Sequence, residues 1–245
     1  MKKVFIFVAS RDVKEANSKK VINLLVDQMN KNSHEEVIYS IYDPKTLKID
    51  NCLGCCNCFN TGVCCLDKKD NFNLVKKEIE ESDLIILISP VYAHNVTGDM
   101  KIFIDRLSYW MHIFKLVGKK SVSISVSSTN GNDFVNSYLK KILELLGTQV
   151  VANISVTVDG PRMLEDEEFL KGIIPQTAKK IIKSMDKKEF TSTREQEKFY
   201  ENMRQLYMNV DDEFKDKTVE FLYWKESGML ESESLQEYVN YKMKE

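Results

Sequence analysis

Short apolar runs alternate with segments of helical spacing along most of this chain, and this alternation is the strongest constraint on its fold. The first run, residues 3–9, is almost continuously apolar, which is typical of a strand buried on both faces of a parallel sheet. Strands that alternate with helices predict an α/β fold with helices on both faces of that sheet. Because crossover connections are right-handed, the expected architecture is an open, doubly wound sheet of about five strands. The predicted strands are residues 3–9, 36–42, 83–89, 120–127 and 149–157, and the predicted helices are 17–31, 71–81, 97–117, 132–147 and 165–185.

The loops after the first, third and fourth strands are the expected location of a ligand site. In open parallel sheets, ligands bind outside the carboxyl ends of the strands, where the strand order reverses. These loops are residues 9–18, 89–97 and 127–132.

The first loop carries hydroxyl, amide and guanidinium groups and leads directly into a helix. Donors at a helix N-terminus suit a phosphate group, and Asn17 or Ser18 is the expected N-cap. The loop contains neither G-x-G-x-x-G nor a Walker sequence, so nicotinamide or ATP binding by those routes is not supported. Any βα turn offers similar caps, so this loop alone does not distinguish a phosphate site from an ordinary turn. Its candidate residues are Ser10, Arg11, Asn17 and Ser18.

The third and fourth strands are followed by loops that suit a planar ligand. After the third strand come a proline, an aromatic ring and several uncapped amides, which could border a ring, and His94 could donate a hydrogen bond to it. After the fourth, short polar side chains and a glycine let the backbone approach a ligand closely. An exposed histidine and an ordinary βα loop remain the alternatives. The candidate residues are Pro90, Val91, Tyr92, Ala93, His94 and Asn95, and Ser127, Ser128, Thr129, Asn130 and Gly131.

All six cysteines lie between residues 52 and 65. Four of them, Cys52, Cys55, Cys58 and Cys64, have the spacing C-x2-C-x2-C-x5-C. Closely spaced thiolates let one short loop wrap a single [4Fe–4S] cluster or a zinc ion. Free or redox-active thiols without a metal are the third possibility, and the spacing does not choose among the three.

Composition excludes several other classes of protein. The net charge of −2 argues against nucleic-acid binding, and no apolar run is long enough for a membrane span. Two lysines before an apolar run resemble a short signal peptide, but the run of residues 3–9 is better explained as a buried first strand. A cytoplasmic protein is therefore expected, in which cysteines favour metal binding or catalysis over a disulfide framework.

The polar tail from residue 186 is predicted to be a helical extension, 186–245, on a first domain that spans 1–185 with the cysteine-rich insert 52–65. Ser192 and Glu195 form a capping-box pattern that opens a helix. The extension could pack on the same domain or serve as an arm that contacts another subunit.

Taken together, the loops resemble those of the flavodoxin-like NAD(P)H-dependent FMN reductase family, including its iron–sulfur flavoprotein branch. The resemblance covers about residues 2–150 and rests on the phosphate-type loop, on Ser89–Tyr92 with the helix segment Met100–Arg106, on Ser127–Gly131 and on the cysteine-rich insert closed by Lys69-Asp70. Two departures stand out. Ala9 and Asp12 replace a customary glycine and proline, and Cys56 and Cys65 are additional cysteines.

The resemblance implies an FMN whose phosphate binds the first loop and whose ring lies between the other two. It implies chemistry supplied by the flavin, with NAD(P)H as donor and no side-chain acid or base. It further implies a homodimer or higher homo-oligomer. The electron acceptor and the choice between NADH and NADPH stay open.

Three functions follow as hypotheses. The first is an FMN-dependent NAD(P)H oxidoreductase that passes electrons to a small molecule or protein. The alternative is an iron–sulfur flavoprotein electron carrier fed by a ferredoxin-like partner. The third is a thiol- or zinc-based sensor that uses the fold as a scaffold.

Overall fold

A five-stranded, entirely parallel sheet forms the centre of the protein, as seen in a computed structural model that describes residues 1–11, 16–158, 172–211, 215 and 217–244. The strand order is β2-β1-β3-β4-β5, which confirms the predicted doubly wound, flavodoxin-like α/β fold. The strands are β1 (Lys2–Val8), β2 (Val37–Tyr42), β3 (Leu84–Pro90), β4 (Lys120–Ser127) and β5 (Gln149–Thr157).

The helices of the described residues cover both faces of this sheet. Of the helix predicted over 165–185, residues 165–171 lie outside the described residues. The helices are α1 (Asn17–Asn32), α2 (Asn57–Thr61), α3 (Phe72–Glu81), α4 (Gly98–Asp105), α5 (Ser108–His112), α6 (Asn132–Leu145), α7 (Ile173–Met185), α8 (Arg194–Met208), α9 (Val219–Ser227) and α10 (Leu235–Lys242). Within these residues, no helix is long and apolar enough to span a membrane.

The two faces of the sheet bury two separate hydrophobic clusters. Successive side chains of a strand point to opposite faces, so Val4 and Ile6 pack with α1 and α7, whereas Phe5 and Phe7 pack on the other side. The second cluster also takes in the tail, where Trp224 is fully buried and its indole N–H donates to the carbonyl oxygen of His112 at 2.8 Å. The tail helices therefore pack on the same core as the sheet.

The single helix predicted over 97–117 is wrong. The chain forms α4 and α5 instead, because Leu107 leaves the helical region with φ −103° and ψ 6°. Beyond α5, Phe114 has φ 45° and is fully buried beside Tyr200 and Trp224. Apolar spacing continues across both points, so the pattern alone does not reveal that tertiary packing breaks the helix.

Two predicted helix caps are also displaced. The N-cap of α1 is Ala16, which has no side-chain cap, and not Asn17 or Ser18. The capping box of α8 is formed by Thr193 and Gln196, one residue beyond the predicted pair. Gln196 is buried, and its Nε2 donates to the carbonyl oxygens of Glu144 (2.9 Å) and Thr148 (3.0 Å), which fixes the register of α8 against α6.

Removing the Thr193 hydroxyl should destabilise the fold modestly. Its Oγ1 accepts the backbone N–H of Gln196 at 3.2 Å, so T193A is expected to lower the free energy of unfolding by about 1 kcal/mol in urea titrations. T191A, which lies outside the cap, is the matched control and should change it by less than about 0.5 kcal/mol. Equal losses in the two variants would argue against the cap.

Candidate functional site

The loops after β1 and β3 are joined at the point where the strand order reverses. Thr97 Oγ1 donates to the carbonyl oxygen of Ala9 at 3.1 Å, and Ser89 Oγ accepts the backbone N–H of Thr97 at 3.2 Å. Thr97 is also the N-cap of α4, through the N–H of Met100. The buried Thr97 thus connects the two loops to the start of α4, which fixes the position of the backbone at the base of the expected site.

The first loop places its predicted residues in different environments. Ser10 and Ser18 are buried, Asn17 is half-buried, and Arg11 is exposed. Arg11 donates from Nε and Nη2 to the two carboxylate oxygens of Asp99, both at 2.8 Å, which raises the pKa of Arg11. The first turn of α1 contains no acidic residue, so its N-terminus favours an anion. Residues 12–15, including the departure at position 12, lie outside the described residues.

The third loop contains a tight turn in which Tyr92 and Asn95 exchange two backbone hydrogen bonds of 3.0 Å. Its central residues, Ala93 and His94, have φ of 49° and 59°. Non-glycine residues seldom adopt this left-handed conformation, and such strain occurs often at binding sites. Among the described residues, the N–H groups of Ala93 and His94 find no acceptor, so both can donate to a ligand. Pro90 ends β3, and Val91 N–H donates to the carbonyl oxygen of Val126.

The fourth loop reaches the third loop through Gly131. A Cβ at Gly131 would lie 2.7 Å from Val91 Cγ1 and 3.4 Å from His94 Cα, and Gly131 has φ 86°. Ser127 is buried, whereas the loop residues that follow it, Ser128, Thr129 and Asn130, are exposed. The two loops therefore form one continuous wall.

A polar network that sequence reasoning missed supports this wall. Asn132 is buried, its Nδ2 donates to Ser127 Oγ at 2.8 Å and to Thr157 Oγ1 at 3.0 Å, and its Oδ1 accepts Ser125 Oγ at 2.7 Å. It ties the ends of β4 and β5 to the start of α6. The sequence signal that could have indicated this network is Asn132, an asparagine directly after the loop glycine Gly131.

Two adjoining cavities open beside these loops. One, of about 340 Å³, is lined by Ala9, Arg11, Tyr92, Thr97, Gly98, Asp99 and Ile102. The other, of about 320 Å³, shares Arg11, Asp99 and Ile102 and extends to Leu47, Ile49 and Asn51 beside the cysteine insert. Thr97, Asp99 and Ile102 were absent from the predicted site, because only the folded chain brings α4 against the first loop.

The ends of the cysteine insert are tied to one buried guanidinium. Arg106 Nη1 donates to Asp70 Oδ2 at 2.5 Å and to the carbonyl oxygen of Asp50 at 3.0 Å, and Nη2 lies 3.5 Å from Asp67 Oδ1. Lys76 adds a second cation 3.1 Å from Asp67. Two positive charges therefore lie at the base of a loop rich in thiols.

The six thiols are free and unequally placed. Cys52, Cys55, Cys56 and Cys65 are exposed, and Cys58 and Cys64 are half-buried. The sulfurs of Cys55 and Cys65 lie 3.5 Å apart. Among the described residues, which include every cysteine, no three His, Cys, Asp or Glu side chains are gathered closely enough to hold a metal ion.

The thiol pKa values follow from these positions. The backbone N–H of Asn57, together with the hydrogen bond from Cys65, lowers the pKa of Cys55. The same contact with Cys55 raises the pKa of Cys65. Burial raises the pKa of Cys58, and the neighbouring Cys64 adds to this shift.

A family model, NADPH-dependent FMN reductase, matches residues 2–161. The chain belongs to this family. An iron-sulfur flavoprotein from Archaeoglobus fulgidus is 31% identical over 184 residues, which cover 75% of this chain and 81% of that protein.

Two solved structures have the same fold. One is RosB with bound 8-demethyl-8-formylriboflavin-5'-phosphate, which has a TM-score of 0.58 at 12% identity. The matched region covers 86% of this chain and 89% of the RosB chain. An NADH:FMN oxidoreductase in its apo form has a TM-score of 0.53 at 18% identity, with coverages of 75% and 90%. At these identities the likeness concerns the fold alone.

The cysteine insert of this FMN reductase family member does not fit a four-cysteine cluster in the conformation described. Thiolates are suitable iron ligands, but Cys52, Cys55, Cys58 and Cys64 do not form a metal-holding group. One pair of sulfurs, 3.5 Å apart, instead joins Cys55 to Cys65, and Cys65 is outside the predicted set. The identity of the ligands stays a prediction.

Proposed function

We propose that this protein is an FMN-dependent oxidoreductase that takes electrons from NAD(P)H and passes them to a small molecule or a protein. The observation that carries the proposal is the convergence of three loops at the reversal of strand order. The backbone N–H groups of Ala93 and His94, which find no acceptor among the described residues, follow Tyr92 of the cavity wall. Family membership and the name of the Archaeoglobus relative support it.

The described residues fit a planar, anionic cofactor. The N-terminus of α1, without an acid or a side-chain cap, would hold the phosphate with Ser10 and Ser18 nearby. The N–H groups of Ala93 and His94 would donate to the ring edge, and Gly131 keeps the facing loop close. When bound, FMN supplies the hydride and electron chemistry. The protein contributes position and hydrogen-bond donors, and the site assignments are part of this proposal.

We expect Arg11 to close one side of the site. It would not bind the phosphate as an unpaired cation. Asp99 already accepts two of its hydrogen bonds, so a bidentate pair holds the guanidinium over the cavity that both residues line. The exposed Tyr92 also lines that cavity. Its ring is available to contact a second ring or another subunit.

The decisive experiment is an absorption spectrum of the protein purified without oxygen. We expect two resolved flavin bands, present at isolation or restored by added FMN, and rapid bleaching by NADH or NADPH. A protein that neither carries nor binds FMN would refute the proposal. Light scattering on the same sample tests the expected homodimer.

The second candidate is an iron–sulfur flavoprotein electron carrier, which the name of the Archaeoglobus relative favours. It requires iron and acid-labile sulfide in the same sample, slow reduction by NAD(P)H and fast reduction by a low-potential ferredoxin. Fast steady-state oxidation of NAD(P)H would exclude it as the main activity.

A further inference from the structure

We propose that a cavity at the end of the sheet remote from the loops assigned to FMN binds a small molecule that carries a phosphate group. The cavity has a volume of about 310 Å³, and its lining includes Lys120 and Gln149, the first residues of β4 and β5, together with Lys180 of α7 and Lys187. The loops assigned to FMN follow the carboxyl ends of the strands, so the length of the sheet separates the two sites. This binding function does not depend on the proposed oxidoreductase activity.

The central group of this cavity is the ammonium of Lys120. The residue is only 7% exposed, and its Nζ donates to Gln149 Oε1 and to the backbone carbonyl oxygen of Glu189, both of which are neutral acceptors. An ammonium has three N–H donors, so one of them has no acceptor within the described part of the chain. Burial lowers the pKa of Lys120, as expected for a cation that is withdrawn from water.

Lys120 contacts Glu189 through the backbone of that residue and forms no ion pair with its carboxylate. The carboxylate of Glu189 is 75% exposed and lies 3.3 Å from Nζ of Lys187. An exposed pair of this kind contributes little to stability, so Lys187 can turn towards a ligand at small cost. A buried charge is costly unless an opposite charge compensates it. An anion in the cavity would supply that charge to Lys120.

The surface around the cavity is strongly basic. Residues 179–189 contain five lysines and two acidic residues, whereas the whole chain has a net charge of −2. One of the two acids, Asp186, pairs with Lys2 of β1 and does not neutralise these lysines. The C-terminus of α7 carries only about half a negative charge, so the five lysines exceed what the helix dipole needs. The excess positive charge favours an anion at this position.

A phosphate group matches the cavity in charge and in size. Lys120 and Lys180 line it from two different elements, β4 and α7, so their ammonium groups can face one ligand from two directions. A phosphate monoester carries roughly 1.5 to 2 negative charges at neutral pH, more than a carboxylate does, and lysine binds phosphate as a point charge. The cavity is about ten times larger than the volume of one water molecule in the liquid. This size leaves room for the organic part of a small phosphomonoester.

Phosphate binding is measured on the full-length protein, after its flavin content has been determined and with FMN added to saturation where it binds, so that the flavin site offers no free phosphate position. Inorganic phosphate and ribose 5-phosphate are titrated separately by isothermal titration calorimetry, which distinguishes a free anion from a phosphomonoester as the better ligand. We expect saturable binding of at least one of them, and a melting temperature that rises with that ligand but not with sodium chloride at the same ionic strength. No saturable binding of either compound would overturn the proposal. The flavin content is a separate result, so neither outcome decides the proposed oxidoreductase function.

Two variants locate the bound phosphate. K120M and K180A should each weaken binding of the better ligand by at least about tenfold, an effect of about 1.4 kcal/mol. K183A is the matched control, because Lys183 is an exposed lysine of the same helix that does not line the cavity, and its dissociation constant should equal that of the wild type. Unchanged binding in K120M, or equal losses in K180A and K183A, would show that diffuse surface charge binds the anion, and the proposal would be wrong. Lys180 is exposed, so K180A and K183A decide the question even if K120M does not fold.

Discussion

Replacing Arg106 by alanine is expected to lower the free energy of unfolding by about 3 to 5 kcal/mol, because it leaves the buried carboxylate of Asp70 without its cation. The Arg106 side chain has no exposed surface, and that of Asp70 is only 6% exposed. The guanidinium also donates to the carbonyl oxygen of Asp50, on the other arm of the insert. We therefore expect faster proteolytic cleavage within residues 50–70 as well as lower global stability.

Urea unfolding, monitored by circular dichroism, measures the loss of global stability. K101A, on the helix that ends just before Arg106, is the matched control, since the 2.5 Å pair of Lys101 with Asp105 is exposed and should contribute no more than about 0.5 kcal/mol. R106K keeps the charge but not the planar fork, so an intermediate loss is expected, and this variant serves if R106A does not fold. Similar losses in R106A and K101A would show that the buried pair does not stabilise the fold.

The effect of R106A should depend on pH. Burial raises the pKa of Asp70, but hydrogen bonds from Arg106 and from the backbone N–H groups of Asp50 and Phe72 outweigh it, and this pKa is lowered. In the wild-type protein its contribution is therefore complete above the unfolded pKa and is lost as the pH falls through the folded value. In R106A the hydrogen bond and the charge of Arg106 are lost while burial remains, so the pKa of Asp70 should rise relative to that in the wild type. The difference between the two proteins should shrink below about pH 4.

The sheet could be predicted from the sequence because strand burial is a local property of the pattern. The limits of β4 and β5 agree with the predicted 120–127 and 149–157, where valine and isoleucine recur between polar residues. The expected location of the candidate site followed from topology alone, since parallel strands end at one edge. These inferences required no knowledge of which side chains meet.

The errors arose where distant residues decide the local structure. The helix predicted over 97–117 breaks where Arg106 turns inward to Asp50 and Asp70, contacts that no periodicity encodes. The cap of α8 moved by one residue because Gln196 binds carbonyl groups of α6 and its following turn. Asp99 lies at the candidate site because its carboxylate accepts a hydrogen bond from Arg11, which is far from it in sequence.

Replacing Gly131 by alanine is expected to weaken FMN binding by at least about tenfold, an effect of about 1.4 kcal/mol. Gly131 has φ 86°, a conformation that costs alanine about 1 to 2 kcal/mol in stability. The new Cβ would also lie 2.7 Å from Val91 Cγ1 and 3.4 Å from His94 Cα. The third loop must then move, and with it the N–H groups proposed to bind the ring.

A G228A variant separates the conformational cost of a side chain at positive φ from the steric effect of the new Cβ. Gly228 has φ 85°, almost the same as Gly131, but a Cβ there would meet nothing within 4 Å, and it lies at the end of α9. G228A should therefore show the conformational cost alone, with FMN affinity unchanged in fluorescence titrations. If G131A bound FMN as tightly as G228A does, the contact between the two loops would have no part in the flavin site. A larger loss of affinity in G131A at equal stability would identify the wall of Val91, His94 and Gly131 as the element that sets the ring position.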